Sequence, residues 1–397
     1  MKLQNKTRCL FVSHAPLGSL GGGASNSLLI FLKHQDFLEV DLVLPLFIGR
    51  LFKLPKIIRQ AYELKPPSVR KIYFLPLPWS SCFEGKQTSF KANSAYFVNN
   101  ILAFLFLPAI SLLLNKSEYK FFHFNSIVLH QLVRRNSNHI LHVREIIDRD
   151  YPRRRNAINN LNKADGLIFI DNSSFQAYKQ CGPAHNKLCH RVINNPFDMH
   201  EARDLRKDRK FISDELNLKN IPKKIFTYLG NLHPVKGTDL IIKAFIEANL
   251  KDAILLIVGT GNTRYLDYCR SLAKTMEDKI LFLGMFEYKD VQKIYAVSDF
   301  VLRGDPDFRL GRTTYEALYA GSGVVLPGTE EDLSTEPDLQ DFSASILFYK
   351  PGNVKSLAAA MEHANKSKSR NISNNTPTGN MTKHCLEMQE FISKCTK

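Results

Sequence analysis

IFTYLGNLHPVKGTDLIIKAFIEANLKDAILLIVGTG, residues 225–261, is the stretch that decides the fold. Ile225–Leu229 is a short, mostly apolar run that stops at Gly230. From Thr238 to Ala248 the apolar residues recur at the three-to-four spacing of a helix with one buried face. A second apolar run, Ala253–Val258, again ends on glycine, at Gly259 and Gly261. Runs this short and this continuously apolar fit strands covered on both faces, and strand, helix, strand in that order is a βαβ unit with a parallel sheet.

The pattern continues downstream. Strands are expected at Ile280–Leu283, Asp299–Leu302 and Ser322–Leu326, and helices at Thr263–Met276, Tyr288–Val297 and Thr313–Ala320. Upstream, the charged segment Asp198–Lys224 reads as a connection with one short helix. The first half has its own βαβ start: a strand at Cys9–Ser13, a loop with Gly18 and Gly21-Gly22-Gly23, a helix over Ser25–His34 and a strand at Val40–Pro45. Further strands are expected at Lys71–Leu75, Tyr119–Phe124, His139–Val143 and Gly166–Ile170, with a helix over Ser94–Leu114. The reading is an α/β chain of two Rossmann-like, doubly wound domains facing across a cleft. The boundaries are 1–200, a linker 201–224, a second domain 225–364, and a tail with a last helix in 365–397 that has the option of returning to the first domain. At 397 residues, two domains are also what chain length favours.

Composition narrows the class. An apolar fraction of 44% and a charged fraction of 23% are those of a globular protein. The seven cysteines form no Cys-x-x-Cys pair and no zinc spacing, which fits a reduced, cytoplasmic compartment better than a disulfide framework. The apolar stretch Cys9–Val12 is too short for the core of a signal peptide. Ile101–Leu114, as a helix, covers about 21 Å against a hydrocarbon thickness of roughly 30 Å, so a buried or half-buried helix is expected rather than a span.

Charge is unevenly spread. Residues 1–200 hold 26 Lys and Arg against 12 Asp and Glu, whereas residues 201–397 hold 28 against 26, so the first half carries +14 of the formal +16. One half therefore meets something anionic. Nucleic acid is the weaker candidate, because the basic residues are not interleaved with aromatics as in an RNA-binding module. An anionic membrane surface or a polyprenyl-diphosphate-linked acceptor fits better.

Three turns carry the chemistry. Gly230 and Gly237 let backbone approach a ligand, and Lys236 puts a cation where helix N–H groups already favour anions. Gly259 and Gly261 repeat that geometry one strand later, although glycine after a strand is common in α/β proteins of any function. In Phe308-Arg309-Leu310-Gly311-Arg312-Thr313-Thr314-Tyr315-Glu316, Gly311 and Arg312 stand at a helix start, where N–H groups and a guanidinium could cradle a diphosphate. Glu316, one turn on, could accept hydrogen bonds from a ribose diol or could be a solvated helix glutamate.

With these turns in this order, the second half resembles the nucleotide-sugar-binding domain of the retaining family 4 glycosyltransferases of group 1 type, which have the GT-B fold. The resemblance runs through YLGNLHPVKGTDLIIKAF, LLIVGTG, ILFLGMFEYKDVQKIYAVSDFVL and GRTTYEALYAGSGVVLPG, over about residues 225–360. More loosely, LFVSHAPLGSLGGGASNSLLIFL, ADGLIFIDNSSFQAY and VINNPFD in the first half resemble the family's acceptor domain. The resemblance implies that Lys236 contacts the donor diphosphate, that Glu316 grips the nucleotide ribose, and that Leu310, Gly311, Arg312 and Thr313 offer donors to the phosphates. It places Asn231 where the family has an arginine, and Phe308 where it has the first acid of its Glu-x7-Glu motif. The neighbouring Asp305-x-Asp307 also spells a metal-binding motif of a different glycosyltransferase fold. In the first half, Arg144 or His142 would occupy the position facing the donor sugar, and Gly22 and Gly23 would lie against the donor phosphates or the acceptor. Lys53, Lys56, Arg59 and Arg153-Arg154-Arg155 read as contacts for an anionic surface or as a solvated face.

The function implied is retaining transfer of a hexose-type sugar from a nucleotide-sugar to a glycan or lipid-linked glycan, as in surface polysaccharide or lipopolysaccharide assembly, on the inner face of the plasma membrane. Lys236, Glu316 and Arg144 are the catalytic candidates, with no cofactor and no metal. A departing diphosphate that helps deprotonate the incoming hydroxyl needs cations and oriented N–H groups rather than a nucleophile. The alternatives are a non-catalytic binding protein of the same fold, which Phe308 favours, and a GT-B isomerase.

Overall fold

The computed structural model describes residues 6–18, 22–46, 53–78, 98, 100–135, 137–147, 151, 154–181, 189–216, 218, 223–367 and 377–396. The chain divides into two compact units, Met1–Pro196 with Met381–Lys397, and Phe197–Asn380.

The first unit is built on seven parallel strands: β1 (Thr7–Val12), β2 (Leu38–Pro45), β3 (Val69–Leu75), β4 (Phe121–Phe124), β5 (His139–Val143), β6 (Gly166–Phe169) and β7 (Cys189–Val192). Their order is β3-β2-β1-β4-β5-β6-β7. Alternation along each strand sends neighbours to opposite faces. Leu10, Val12, Phe124, Leu141 and Phe169 join one apolar cluster. Cys9, Phe11, Phe121, Ile140 and Ile168 join the other. The second face is covered by the helix Gly22–His34 and by the last helix, Met381–Cys395, which buries Met388, Phe391 and Ile392 there. The last helix thus belongs to the first unit.

The second unit has six parallel strands, β8 (Lys224–Leu229), β9 (Ala253–Val258), β10 (Ile280–Gly284), β11 (Phe300–Leu302), β12 (Gly323–Pro327) and β13 (Ile346–Tyr349), in the order β10-β9-β8-β11-β12-β13. In each sheet the order reverses once, between β1 and β4 and between β8 and β11. At such a reversal the connections leave in opposite directions and open a crevice at the carboxyl ends of the strands.

Three expectations need correction. The stretch read as a linker, 201–224, carries two helices, His200–Arg206 and Arg209–Glu215, packed within the second unit against the helix Tyr288–Val297. Three of its arginines, Arg203, Arg206 and Arg209, are partly buried, whereas Glu201, Lys207 and Lys210 are exposed. Arg203 donates to the Tyr319 carbonyl at 2.8 Å and Arg206 to that of Ala320 at 3.2 Å, at the carboxyl end of the helix Arg312–Ala320, where a cation is favoured. The helix expected over Ser94–Leu114 is interrupted: residues 101–105 and Leu107–Leu114 are helical, with a turn at Phe106 ahead of Pro108, while residues 94–97 and 99 lie outside the described residues. Strands β7 and β13 were not expected. Among the described residues, no helix is long and apolar enough to cross a membrane.

Candidate functional site

In the second unit, β8 and β11 leave the sheet side by side at its reversal point. After β8 the chain runs through Gly230, Asn231 and Leu232 into a short 3-10 turn, Pro234–Lys236, then Gly237 in the left-handed region at φ +59° and the helix Thr238–Ala248. After β11 it runs through Arg303, Gly304 and Asp305. A Cβ on Gly237 would overlap the Gly304 carbonyl oxygen, and one on Gly304 the Gly237 oxygen. Two glycines therefore let the turns touch backbone to backbone, and that contact sets the side chains beside them.

Lys236 Nζ lies 3.2 Å from Asp305 Oδ1. Asp305, only 2% exposed, also accepts from Arg303 Nε at 2.8 Å, and Arg303 Nη1 donates to Thr313 Oγ1 at 2.9 Å. Gly311, the residue before the helix Arg312–Ala320, has no Cβ because the Arg303 guanidinium occupies that space. Lys236, Arg303 and the first turn of this helix are thereby drawn together around one buried carboxylate. The resemblance pointed to Lys236, Gly311 and Thr313 but missed Arg303 and the role of Asp305. The available signal was an arginine closing an apolar strand at the carboxyl end of the sheet. Asp305 and Asp307 have different partners, Asp307 pairing with Arg309 at 2.7 Å.

Glu316 is not a solvated glutamate. It is 3% exposed, with Oε1 accepting from Arg312 Nε at 2.6 Å and Oε2 from the Tyr295 hydroxyl at 2.8 Å. Arg312, read as a diphosphate cradle, is instead turned back one helical turn onto Glu316, with its guanidinium 5.0 Å above the Phe197 ring. The i, i+4 spacing brings the two together. Leu310 and Phe308 pack against the apolar cluster beside this helix. Gly259 and Gly261 serve the protein's own backbone, since a Cβ on either would overlap the carbonyl oxygens of Gly230 and Leu232, and Leu232 N donates to Thr260 O at 2.9 Å. Both uses of glycine require the same missing Cβ, so sequence could not separate them. Asn231 is exposed, and its carbonyl accepts from the Tyr228 hydroxyl.

In the first unit the reversal lies between β1 and β4. Arg144, just past β5, donates to the Asn125 carbonyl at 3.0 Å, to Asn125 Oδ1 at 2.8 Å and to Asn195 Oδ1, and touches His142 Nδ1 at 3.3 Å. Asn125, fully buried at the end of β4, donates to the Ala24 carbonyl at 3.3 Å. It therefore links Arg144 to the turn holding Gly22 and Gly23, a bridge sequence reading missed. Gly22 has φ +69° and open space where a Cβ would go, so its glycine serves conformation rather than close approach. Of the two candidates, Arg144 is partly exposed and His142 is 1% exposed behind it.

Around Arg144 lies a set of buried imidazoles. Burial, reinforced by the positive Arg144, lowers the pKa of His14 and His123 to about 3 and that of His142 well below its ordinary value. Burial also lowers His384 to about 4, against a hydrogen bond from its Nδ1 to the Asn194 carbonyl at 2.7 Å that works the other way. Glu145, which accepts from Ser126 Oγ at 2.7 Å, is raised by burial. Lys53, Lys56 and Arg59 are on the surface, with Arg59 paired to Glu63, while Arg153 lies outside the described residues.

Residues 209–377 match the family model for glycosyl transferases group 1. The chain is 30% identical over 112 residues to YtcC of Bacillus subtilis, covering 26% of this chain and 28% of that protein. It is 42% identical over 72 residues to a GDP-mannose-dependent monoacylated alpha-(1-6)-phosphatidylinositol monomannoside mannosyltransferase of Corynebacterium glutamicum, covering 18% of each. The chain thus spans less than a third of the length of these curated relatives. Among solved structures, Anabaena HepE in complex with UDP and glucose superposes with a TM-score of 0.69 at 18% identity, covering 98% of this chain and 100% of that one. The two-unit α/β architecture is the GT-B fold, and its second unit matches the group 1 glycosyltransferase family over residues 209–377.

Proposed function

We propose that this chain transfers a hexose-type sugar, with retention of configuration, from a nucleotide-sugar to a lipid-linked glycan, with its second unit holding the donor. The observation that carries the reading is the convergence of Lys236, Arg303 and the start of the helix Arg312–Ala320 at the reversal point of the second sheet. Sugar transfer develops negative charge on the departing diphosphate, and fixed cations and helix N–H groups stabilise that charge without reorganising. Asp305 balances the two cations in the unliganded protein. A diphosphate arriving beside Lys236 takes over that charge. The complexes of HepE with UDP and with UDP-glucose make UDP-sugars the first donors to try.

Lys236→Ala should weaken UDP binding by about 1.5–3 kcal/mol, the range of a charge-assisted hydrogen bond. Calorimetric titration of wild type and variant reads this directly. UDP binding of equal strength in both would move the donor site away from the β8 turn.

The acceptor side of the proposal rests on the first unit. Phe104, Leu105 and Leu112 are 70%, 63% and 71% exposed. The helix Leu107–Leu114 that carries Leu112 also bonds Arg134, through Ser111 at 2.8 Å. Exposed apolar side chains beside cations suit an anionic lipid surface, where each Lys or Arg contributes about 1 kcal/mol. We therefore place the protein as a peripheral one at the cytoplasmic membrane face. Co-sedimentation with vesicles containing anionic lipid should be strong at low salt and fall steeply as salt is raised. Replacing Phe104 and Leu105 with serine should weaken it further at any salt. Absence of binding to anionic vesicles would point to a soluble acceptor instead.

A further inference from the structure

The first unit carries a cavity of about 480 Å³ that no step above uses, lined by His130, Gln131, Asn156, Asn159, Asn160 and Lys163. Its volume is that of a small-molecule site. We propose that it is a subsite for an uncharged stretch of glycan, apart from the groups around Arg144.

The sequence of its wall is the first argument. Asn156, Asn159, Asn160 and Lys163 stand at i, i+3, i+4 and i+7, which puts them on one face of the helix Arg154–Leu161 and the turn that follows. Asparagine is a poor helix former, because its amide competes for backbone groups, and it is normally retained at caps and turns. Here three asparagines share one face of a two-turn helix whose opposite face buries Ala157, Ile158 and Leu161. Among the described residues, neither the Asn156 nor the Asn159 side chain has a hydrogen-bond partner, and both are exposed to the cavity. Folding does not account for them.

The floor of the cavity is organised. Lys163 Nζ donates to Asn160 Oδ1 at 2.5 Å, and since an ammonium only donates, the oxygen end of that amide is fixed toward it. The Asn160 Nδ2 group then donates to Nδ1 of His130, which is nearly fully buried, at 2.8 Å. Among the described residues, the lining holds one lysine, committed to this chain, and no carboxylate. What the walls offer is a set of primary amides, each presenting N–H and C=O side by side. A vicinal diol has the matching pattern, each hydroxyl both donating and accepting, whereas a phosphate would need free cations.

The inference takes the glycan from the transfer reading above, so the test measures the two separately. Labelled full-length chain is applied to a printed array of neutral and acidic oligosaccharides, and UDP binding is titrated in parallel. Wild type should retain at least one neutral oligosaccharide, and Asn156→Ala with Asn159→Ala should weaken that retention at least tenfold with UDP affinity unchanged. The double variant should melt no lower than wild type, because alanine is the better helix former at exposed positions, so lost binding cannot be assigned to misfolding. Equal retention by both proteins overturns the subsite, and so does retention of acidic glycans alone. Normal UDP binding with no retained glycan also overturns it while leaving donor binding intact. Retained glycan without UDP binding supports the subsite and overturns the donor reading.

Discussion

Acidification from pH 7 to pH 5 should strip the first unit of most of its stability. Five imidazoles, those of His14, His123, His139, His142 and His384, are buried and held neutral. Their common cause is burial, with Arg144 repelling a further positive charge at four of them and Arg134 at His139. In the unfolded chain each titrates near its ordinary value of about 6.5. Below that value the unfolded state takes up protons that the folded state refuses, so unfolding is favoured as pH falls, and the loss continues until the folded groups protonate at about 3 to 4. At pH 5 each such imidazole costs about 2 kcal/mol, and a few of them rival the 5–15 kcal/mol that holds a whole domain together. Glu145 and Asp171, both raised by burial, work in the opposite direction, but they are two groups against five. The check is calorimetric melting at pH 7, 6 and 5, with the unfolding of the first unit moving down steeply. His123→Phe should blunt the shift, because this ring packs on Phe11 with centroids 4.3 Å apart and neither of its nitrogens has a hydrogen-bond partner among the described residues. A melting temperature that stays flat across this range would refute the account.

Glu316→Ala should cost the second unit about 3–5 kcal/mol, the range for removing one partner of a buried ion pair. The carboxylate anchors both Arg312 and Tyr295, and its loss leaves the Arg312 guanidinium, 12% exposed, without that counter-charge. Denaturant unfolding measures this part. The same variant should lose UDP affinity while inorganic pyrophosphate binds nearly as before, because the proposed partner of Glu316 is the ribose and the proposed partners of the phosphates are Lys236 and Arg303. An unfolding midpoint equal to wild type would contradict the buried pairing. Equal loss for UDP and pyrophosphate would show that Glu316 acts on the helix start and not on the nucleoside.

The strands nearest the two sheet reversals were legible because each is a short apolar run buried on both faces, and in the second unit β8 and β9 run straight into glycine. Ala253–Val258 and Thr238–Ala248 were read with the bounds they have. The edge strands β7 and β13 were not, since Cys189–Val192 and Ile346–Tyr349 are short and partly exposed and carry no buried-strand pattern. At the site, Lys236 and Glu316 stood out through their place beside strand-to-helix turns. The partnership of Arg303 with Asp305 and Lys236 did not, because it depends on the Gly237–Gly304 contact between segments distant in the chain. The attachment of Arg312 to Glu316 follows from their i, i+4 spacing on one helix face.

The last helix, Met381–Cys395, completes the core of the first unit by burying Met388, Phe391 and Ile392 in the cluster that holds Phe11 of the sheet and Phe31 of the helix Gly22–His34. This imposes an order on biosynthesis. The second unit is one uninterrupted stretch, Phe197–Asn380, and all of it has left the ribosome before the last helix has. The half translated first is therefore the half finished last, with part of one side of its sheet uncovered throughout synthesis of the other. A premature stop anywhere before residue 381 yields a polypeptide whose opening domain lacks part of its core.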